Sequence, residues 1–369
     1  MRRLAAALLW SAVWLRAASP LTHAATHILP AGTHRAEILP LPDGGVMVVV
    51  VQPDNTQGVG QVKHRAYRFD ANWNQVAPPF AVTAITADYG EPADHRALLV
   101  AGELVVFYQS LVFSGAPPAS GPAETAAVEQ SLLMARFTLD GKELDRRPVV
   151  PHRSDFQDDN FPDFCVLWRG DRYLLGTGSL GPQLKIREVG ADATVLATHL
   201  LTTSPDGIGG TIGNSLYDDG TRLYLLSGSD PQSGTLRITE LDPQFRPVRT
   251  LVYDDAAREQ NFPVGNLKSG AQLLIGYISH PRGGSPDPQQ NPYDAWLKIL
   301  APDFSTVDDF RVGSGGFLHV HTTAAQWGSR VLVGWSQAVS MRNGAQAPQV
   351  HIEEYGVRTP SGAPIRIKR

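Results

Sequence analysis

Ten polar or charged residues stand at the beginning of short apolar segments, and their types suit acid–base chemistry or ligand binding. They are His34, Arg35, Asp94, His95, Arg96, Asp163, Asn214, Asn266, His319 and His321. Histidine titrates near neutral pH and can carry a proton, a carboxylate can orient it, and arginine binds carboxylates through paired hydrogen bonds. We therefore predict two groups of roles. Catalysis is assigned to His95, His321, Asp94 and Asp163, and ligand binding to Arg35, Arg96, Asn214, Asn266 and His34.

The segment Leu318-His319-Val320-His321 suggests a second kind of chemistry. Side chains alternate along a strand, so both imidazoles would lie on one side of it. Such a pair can bind zinc, copper or iron, which predicts a divalent metal ion with His95 as the third ligand. The pair could equally act as acid and base, or donate hydrogen bonds to a ligand.

The apolar segments that follow these residues belong to a repeat. Each copy is an apolar strand, a tight polar turn and a second strand, and the copies begin near residues 35, 95, 163, 214, 264 and 321. Two further strand-like segments follow each copy, and 35 glycines with 28 prolines interrupt any helical pattern. A period of about 50 residues with four strands per unit predicts a six-bladed β-propeller of four-stranded antiparallel blades. The rival architecture, two stacked sandwiches, would not need a regular repeat.

A propeller would bring the ten residues together. The innermost strand of each blade lines the central channel, and these strands begin at the face that carries long loops such as 110–130 and 280–293. Long loops on a rigid scaffold are where binding usually occurs, so we expect a site at the channel mouth on this face. The alternative is that the polar residues only face water in a wet channel. We expect 26–29 to close the ring beside the last strands.

The N-terminus indicates export. A basic start, an apolar run from Leu4 to Leu15 and the sequence Thr22-His23-Ala24 fit a signal peptide over residues 1–24. Residues 25–369 would then be a single β-propeller domain of a secreted or periplasmic protein. No later segment is apolar enough to cross a bilayer, which needs about 20 residues, so we expect no stable membrane insertion after cleavage.

Composition excludes some functions. The formal charge is −4, and cleavage would remove three arginines and no acidic residue, which disfavours a nucleic-acid partner. The single cysteine, Cys165, lies in an apolar segment and cannot form an internal disulfide. We interpret it as a small buried apolar residue.

Three short segments resemble carbohydrate-active propeller proteins. The first blade of sialidases is similar to the segment His34-Arg35-Ala36-Glu37-Ile38 followed by Pro42-Asp43-Gly44. In sialidases an arginine at this place binds the substrate carboxylate. The Ile-Pro pair and the Asp boxes of that family are missing here. Asn160-Phe161-Pro162-Asp163-Phe164 resembles the Glu-Cys-Pro-Asp segment of invertase-like glycosidases, with Asn160 near the place of the acid glutamate. Asp94-His95 resembles the start of a blade in some propeller polysaccharide lyases. These resemblances imply a propeller fold and a carbohydrate ligand.

Three functions therefore stay open. The first is an exported propeller that binds a carbohydrate and, as a lyase or hydrolase, cleaves it, with Arg35 and Arg96 holding an acidic sugar. Histidine and arginine suit lyase-type proton abstraction better than hydrolysis by two carboxylates. The second is a non-catalytic propeller that binds a protein or glycan partner on the long-loop face. The third is a metal-dependent periplasmic enzyme centred on His319 and His321.

Overall fold

A computed structural model of the chain describes most of its length. The residues described are 20–53, 62–83, 90–112, 114, 129–153, 160–178, 183–202, 214–228, 234–269, 272–283, 293–316, 322–337 and 348–357. They form six four-stranded sheets. Among these residues no helix is both long and apolar enough to cross a membrane.

Five of the sheets, or blades, use four consecutive strands. Blade 1 contains β2 (His34–Pro40), β3 (Val46–Pro53), β4 (Val62–Phe69) and β5 (Phe80–Ala81). Blade 2 contains β6 (Gly90–Val100), β7 (Glu103–Val112), β8 (Glu129–Phe137) and β9 (Glu143–Arg153). Blade 3 contains β10 (Asn160–Trp168), β11 (Arg172–Gly178), β12 (Gln183–Gly190) and β13 (Val195–Thr202). Blade 4 contains β14 (Asn214–Asp218), β15 (Leu223–Gly228), β16 (Leu236–Leu241) and β17 (Pro247–Tyr253). Blade 5 contains β18 (Arg258–Ser269), β19 (Gln272–Pro281), β20 (Tyr293–Leu300) and β21 (Thr306–Gly316).

The sixth blade joins the two ends of the described chain. It contains β22 (Thr323–Trp327), β23 (Arg330–Gln337) and β24 (Gln349–Val357), with the N-terminal strand β1 (Leu21–Ile28) outside β24. The predicted six-bladed β-propeller of four-stranded antiparallel blades is therefore confirmed. The closing strand is longer than 26–29, because its pairing with β24 already begins at Leu21 and Val357. The sequence of the sixth repeat also predicts a last strand over residues 365–368, which lie outside the described residues.

The core is a set of apolar layers between neighbouring blades. Strand β3 shows why, because almost every residue in its valine-rich sequence is buried. Val48 and Val50 pack with Trp327 of blade 6, whereas Met47 and Val49 pack with the apolar residues of blade 2. A strand in the middle of a blade that is covered on both faces is expected to be apolar throughout, so only its ends remain for polar chemistry. Cys165 is buried in such a layer, as predicted, and burial raises the pKa of its thiol to about 11.

The turn between β6 and β7 carries a local strain. Ala101 and Gly102 both have positive φ angles, 51° and 82°, as a two-residue hairpin turn of this hand requires. Glycine adopts this conformation freely, but an alanine in the left-handed region costs roughly 1–2 kcal/mol. Asparagine tolerates the left-handed region better than alanine does, and Asn-Gly is the preferred pair for this turn.

Replacing Ala101 with asparagine should therefore stabilise the protein by about 1 kcal/mol. Chemical denaturation of Ala101→Asn against the unmodified protein measures this change in the free energy of unfolding. Ala71→Asn is the matched control, because Ala71 is also an exposed turn residue but does not have a positive φ angle. Equal effects of the two substitutions would show that the strain at Ala101 contributes nothing.

Candidate functional site

The candidate site lies where the inner strands of blades 1 and 2 meet. On β2, Ala36 and Ile38 pack into the apolar layer shared with blade 6. The contacts of Arg35 and Glu37 with β6 show that both side chains project from β2 toward blade 2, although the register of β2 with β3 shifts between His34 and Glu37. The next inner strand, β6, brings Asp94 and Arg96 to meet them. Two residues from each strand thus form one charged cluster.

Asp94 is the centre of this cluster. Its side chain is 1% exposed and lies between two guanidinium groups, with 3.3 Å from Oδ1 to Nη1 of Arg35 and 3.1 Å from Oδ2 to Nη1 of Arg96. The backbone N–H of His95 also donates to Oδ1, at 2.9 Å. A buried carboxylate needs such partners to remain ionised. Asp94 is therefore a fixed negative charge that orients both arginines.

Glu37 is the group in the cluster best suited to exchange a proton. Its carboxyl lies 3.8 Å from Nη1 of Arg96, and its side chain is 18% exposed. Burial raises the pKa of Glu37 to about 7. The attraction of Arg96 opposes this rise, and the repulsion of Asp94 adds a smaller increase. Near neutral pH both protonation states are populated, as a general acid or base requires.

His95 is placed differently from its neighbours on β6. Its Nε2 atom lies 3.3 Å from the carbonyl oxygen of Val49, and its ring centroid lies 4.5 Å from that of His64. Burial lowers the pKa of His95 to about 3, opposed by the attraction of Asp94, so the ring is neutral at neutral pH. Its Nδ1 atom has no hydrogen-bond partner among the described residues. The ring is 1% exposed overall and packs between blades 1 and 2.

The cluster is tied to two further blades. The backbone N–H of Arg35 donates to the hydroxyl of Ser336 in blade 6 at 3.0 Å, and Arg35 itself has a φ angle of 51°. The guanidinium of Arg96 lies 5.4 Å from the ring centroid of Phe164 in blade 3, within range of a cation–π interaction. Arg96 also donates to the carbonyl oxygen of His95 at 2.7 Å. These contacts fix the two arginines, so their geometry depends on the closed ring.

The other residues predicted for the site occupy the expected strands or lie outside the described chain. His34 begins β2 and is half-buried, and its backbone pairs with Val51. Asp163, Asn214 and Asn266 belong to the inner strands β10, β14 and β18. His319 and His321 lie outside the described residues. Within the described part of the chain no group of three or more metal-binding side chains occurs, and the predicted metal ion stays a prediction.

Sequence analysis missed Glu37 as a functional residue, although a signal was present. Glu37 stands only two positions after Arg35 in the same predicted strand. The register shift between His34 and Glu37 means that alternation alone does not place the two side chains on one face. The apolar residues around Glu37 predict an ordinary strand position. What the sequence alone could not give is the burial that raises its pKa.

The charges of the cluster determine what it can bind. Among the described residues, two guanidinium groups, the carboxylate of Asp94 and the carboxyl of Glu37 meet here. Arginine pairs bind carboxylates or sulfates well, and a partly buried pair does so with less screening than an exposed pair. The arrangement can therefore hold an anionic group beside a carboxyl that exchanges a proton near neutral pH.

Comparisons with known proteins agree on the fold. No protein-family model and no curated protein matches the sequence. The structure is similar to the K499G mutant of NanB sialidase from Streptococcus pneumoniae, with a TM-score of 0.54 and 9% identity over 88% of this chain and 68% of that chain. An exo-β-1,3-galactanase from Clostridium thermocellum has a TM-score of 0.48 and 13% identity, over 78% of this chain and 65% of its own. A GH43 β-1,3-galactosidase has a TM-score of 0.47 and 11% identity, over 74% of this chain and 93% of its own.

The similarity to NanB sialidase confirms the predicted resemblance to carbohydrate-active propellers at the level of the fold. At such identities the likeness concerns architecture, since one fold hosts many activities. The function must therefore be argued from the charged cluster itself.

Proposed function

We propose that this chain is an exported propeller that binds an acidic carbohydrate between Arg35 and Arg96 and uses Glu37 to move a proton. The observation that carries this proposal is the geometry of the cluster: two guanidinium groups held in place beside Asp94, and next to them a carboxyl with a pKa of about 7. A sugar carboxylate is an anion that guanidinium groups bind through paired hydrogen bonds. The fold, which resembles carbohydrate-active propellers, supports a sugar as the ligand.

The reaction that fits these groups best is elimination from a uronic acid. Hydrolysis commonly needs two carboxyl groups, and Asp94 is held by three donors and is 1% exposed, so it cannot act as a nucleophile. In elimination, ionised Glu37 takes the proton next to the sugar carboxylate. The electron pair of that C–H bond forms the C=C bond, and the glycosidic oxygen leaves and takes a proton from water. The arginines stabilise the negative charge that develops on the carboxylate.

Glu37→Gln tests this role, because it keeps the shape and removes the titratable group. We expect its activity on uronic-acid polysaccharides to fall by 10²–10⁴-fold, the usual contribution of a general acid or base. The measurement is the ultraviolet absorbance of the unsaturated product over time. Glu143→Gln is the control, since Glu143 is 46% exposed on the outer strand of blade 2. Activity in Glu37→Gln equal to that of Glu143→Gln would refute the role.

The same experiment distinguishes catalysis from a second function, which is the non-catalytic binding of an acidic glycan. The buried position of His95 favours this alternative over catalysis by histidine. Binding of the polysaccharide by the unmodified protein without any unsaturated product would support a binding protein. Loss of that binding in Arg96→Gln would still place the ligand at this cluster.

Export to the periplasm or the cell exterior is part of the proposal and is supported by the N-terminal pattern. Cleavage after Ala24 would remove 21–24 from the closing strand β1 and leave 25–28 paired with β24. N-terminal sequencing of the protein recovered from the exporting cell measures the cleavage site. A start at residue 25 would mean that the shorter strand suffices to close the ring.

A further inference from the structure

Arg35 has a backbone conformation that arginine seldom adopts. Its φ angle of 51° lies in the left-handed region, which is unfavourable for residues other than glycine. Among the described residues, the other non-glycine residues with positive φ angles all lie in turns between strands: Trp73, Ala101, Ala193, Phe245 and Phe304. Arg35 lies inside strand β2 instead. The geometry of a tight turn therefore does not explain its conformation.

The conformation of Arg35 belongs to a β-bulge. Two residues of β2, Arg35 and Ala36, stand opposite the single residue Val50 of β3, which is why the register shifts here. Bulges redirect side chains and are common beside active sites, and glycine usually occupies a left-handed position in them. Strained backbone of this kind persists only where the surrounding structure holds it in place. We therefore looked for the groups that hold Arg35.

Two buried groups from neighbouring blades hold Arg35. In blade 6, the hydroxyl of Ser336 on β23 accepts the backbone N–H of Arg35 at 3.0 Å, and Ser336 is 0% exposed. In blade 2, Oδ1 of Asp94 lies 3.3 Å from Nη1 of Arg35. A buried N–H that loses its acceptor destabilises the conformation that buries it. Ser336 thus favours the backbone conformation in which Arg35 reaches Asp94.

We propose that Ser336 is a positioning residue whose hydroxyl holds Arg35 in the left-handed conformation that directs its guanidinium group to Asp94. Ser336 is fully buried, so it acts through Arg35 and does not touch a ligand. In this way blade 6 prepares one of the two arginines for the anionic group of a sugar. The importance of Ser336 for the ligand rests on the proposed function, whereas its effect on Arg35 does not.

The exchange of the Arg35 guanidinium hydrogens with water tests this role without any ligand. Nuclear magnetic resonance of nitrogen-15-labelled arginine side chains measures the exchange rate, and Arg35→Lys identifies the signal of Arg35. We expect exchange about tenfold faster in Ser336→Ala, because one hydrogen bond shifts a conformational equilibrium by about this factor.

Ser279→Ala is the matched control for this measurement. Ser279 is 2% exposed and, like Ser336, lies near the end of the second strand of its blade, β19. Among the described residues, however, its hydroxyl has no hydrogen-bond partner. The exchange rate of Arg35 should therefore stay unchanged in Ser279→Ala. Equal rates in Ser336→Ala and Ser279→Ala would overturn the proposal.

Replacements of Arg35 itself test the left-handed conformation. Arg35→Gly and Arg35→Ala both remove the guanidinium group, but only glycine adopts a positive φ angle freely. We expect Arg35→Gly to unfold at a higher denaturant concentration than Arg35→Ala. At Glu37, which has no positive φ angle, the order should be reversed, because glycine weakens an ordinary strand. A glycine variant less stable than the alanine variant at both positions would overturn the proposal.

Activity on uronic-acid polysaccharides separates the role of Ser336 from the proposed function. In an active protein, Ser336→Ala should lower kcat/KM by about tenfold, while Glu37 still titrates near pH 7. Unchanged kcat/KM in Ser336→Ala would overturn the positioning role. A protein with no binding of or activity on uronic acids would instead refute the proposed function, and the exchange rate of Arg35 would still decide whether Ser336 positions it.

Discussion

Replacing Asp94 with alanine should destabilise the protein by about 3–5 kcal/mol, the usual effect of removing one partner from a buried ion pair. Asp94 is 1% exposed and pairs with both Arg35 and Arg96. Without it, two largely buried guanidinium groups would lose the carboxylate that they share. The free energy of unfolding, measured by chemical denaturation, gives the size of the loss.

The control for this loss is Asp254→Ala. Asp254 also pairs with an arginine, Arg282, at 2.6 Å, but it is 59% exposed. Exposed ion pairs contribute at most about 1 kcal/mol, so this variant should remain close to the unmodified protein. A loss in Asp94→Ala no larger than in Asp254→Ala would show that Asp94 does not organise the cluster.

Replacing Glu353 with alanine should cost about 3 kcal/mol and loosen the closing strand first. Glu353 of β24 is 6% exposed and has three partners, two on β1 and one on β23. Its Oε2 atom accepts the hydroxyl of Thr26 at 2.6 Å and lies 2.8 Å from Nε2 of His23, a contact that cleavage after Ala24 would remove. Its Oε1 atom accepts the indole N–H of Trp335 at 3.1 Å. Losing this carboxylate leaves the buried indole N–H without its acceptor.

Hydrogen exchange distinguishes local opening of β1 from destabilisation of the whole fold. In Glu353→Ala the amides of β1 should exchange much faster, while those of blade 3 change less. Asp171→Ala is the control, because Asp171 pairs with Arg172 but is 67% exposed. If β1 exchanged no faster in Glu353→Ala than in Asp171→Ala, Glu353 would not be the residue that holds the ring closed.

Much of the fold could be predicted from the sequence because the repeat is strong. Each copy has the same apolar strand, turn and strand, and the spacing alone gives six blades. The length of the closing strand was harder to predict, because half of its eight residues are polar and its first four fall in the predicted signal peptide. Its pairing includes contacts of His23 and Thr26 with Glu353, which lies more than 300 residues away in the chain.

The site was harder to predict than the fold. Arg35, Asp94 and Arg96 could be placed at the channel because the sequence predicts that they open inner strands, and the structure brings these three together, although β6 already begins at Gly90. The face of β6 on which the His95 side chain lies could not be predicted, because the register of β6 with β7 shifts between Pro92 and His95. The pKa values of Glu37 and His95 depend on burial, which a sequence pattern does not specify.

The raised pKa of Glu37 also makes the stability depend on pH. The value of about 7 in the folded protein exceeds the ordinary value of 4.5, so the folded state holds the proton more tightly. The resulting stabilisation is fully present below about pH 4.5 and is lost as the pH rises through 7. Glu37→Gln should not show this particular loss.

Proton transfer by Glu37 is tested most directly by titrating its carboxyl group with nuclear magnetic resonance, using carbon-13 in the glutamate side chains. Comparison with Glu37→Gln identifies the signal of Glu37. We predict a carboxyl that titrates near pH 7, and whose pKa falls when Asp94 is replaced by asparagine, because the repulsion of Asp94 raises it. A Glu37 carboxyl that titrates near its ordinary value of 4.5 would contradict the proposed proton transfer at the charged cluster.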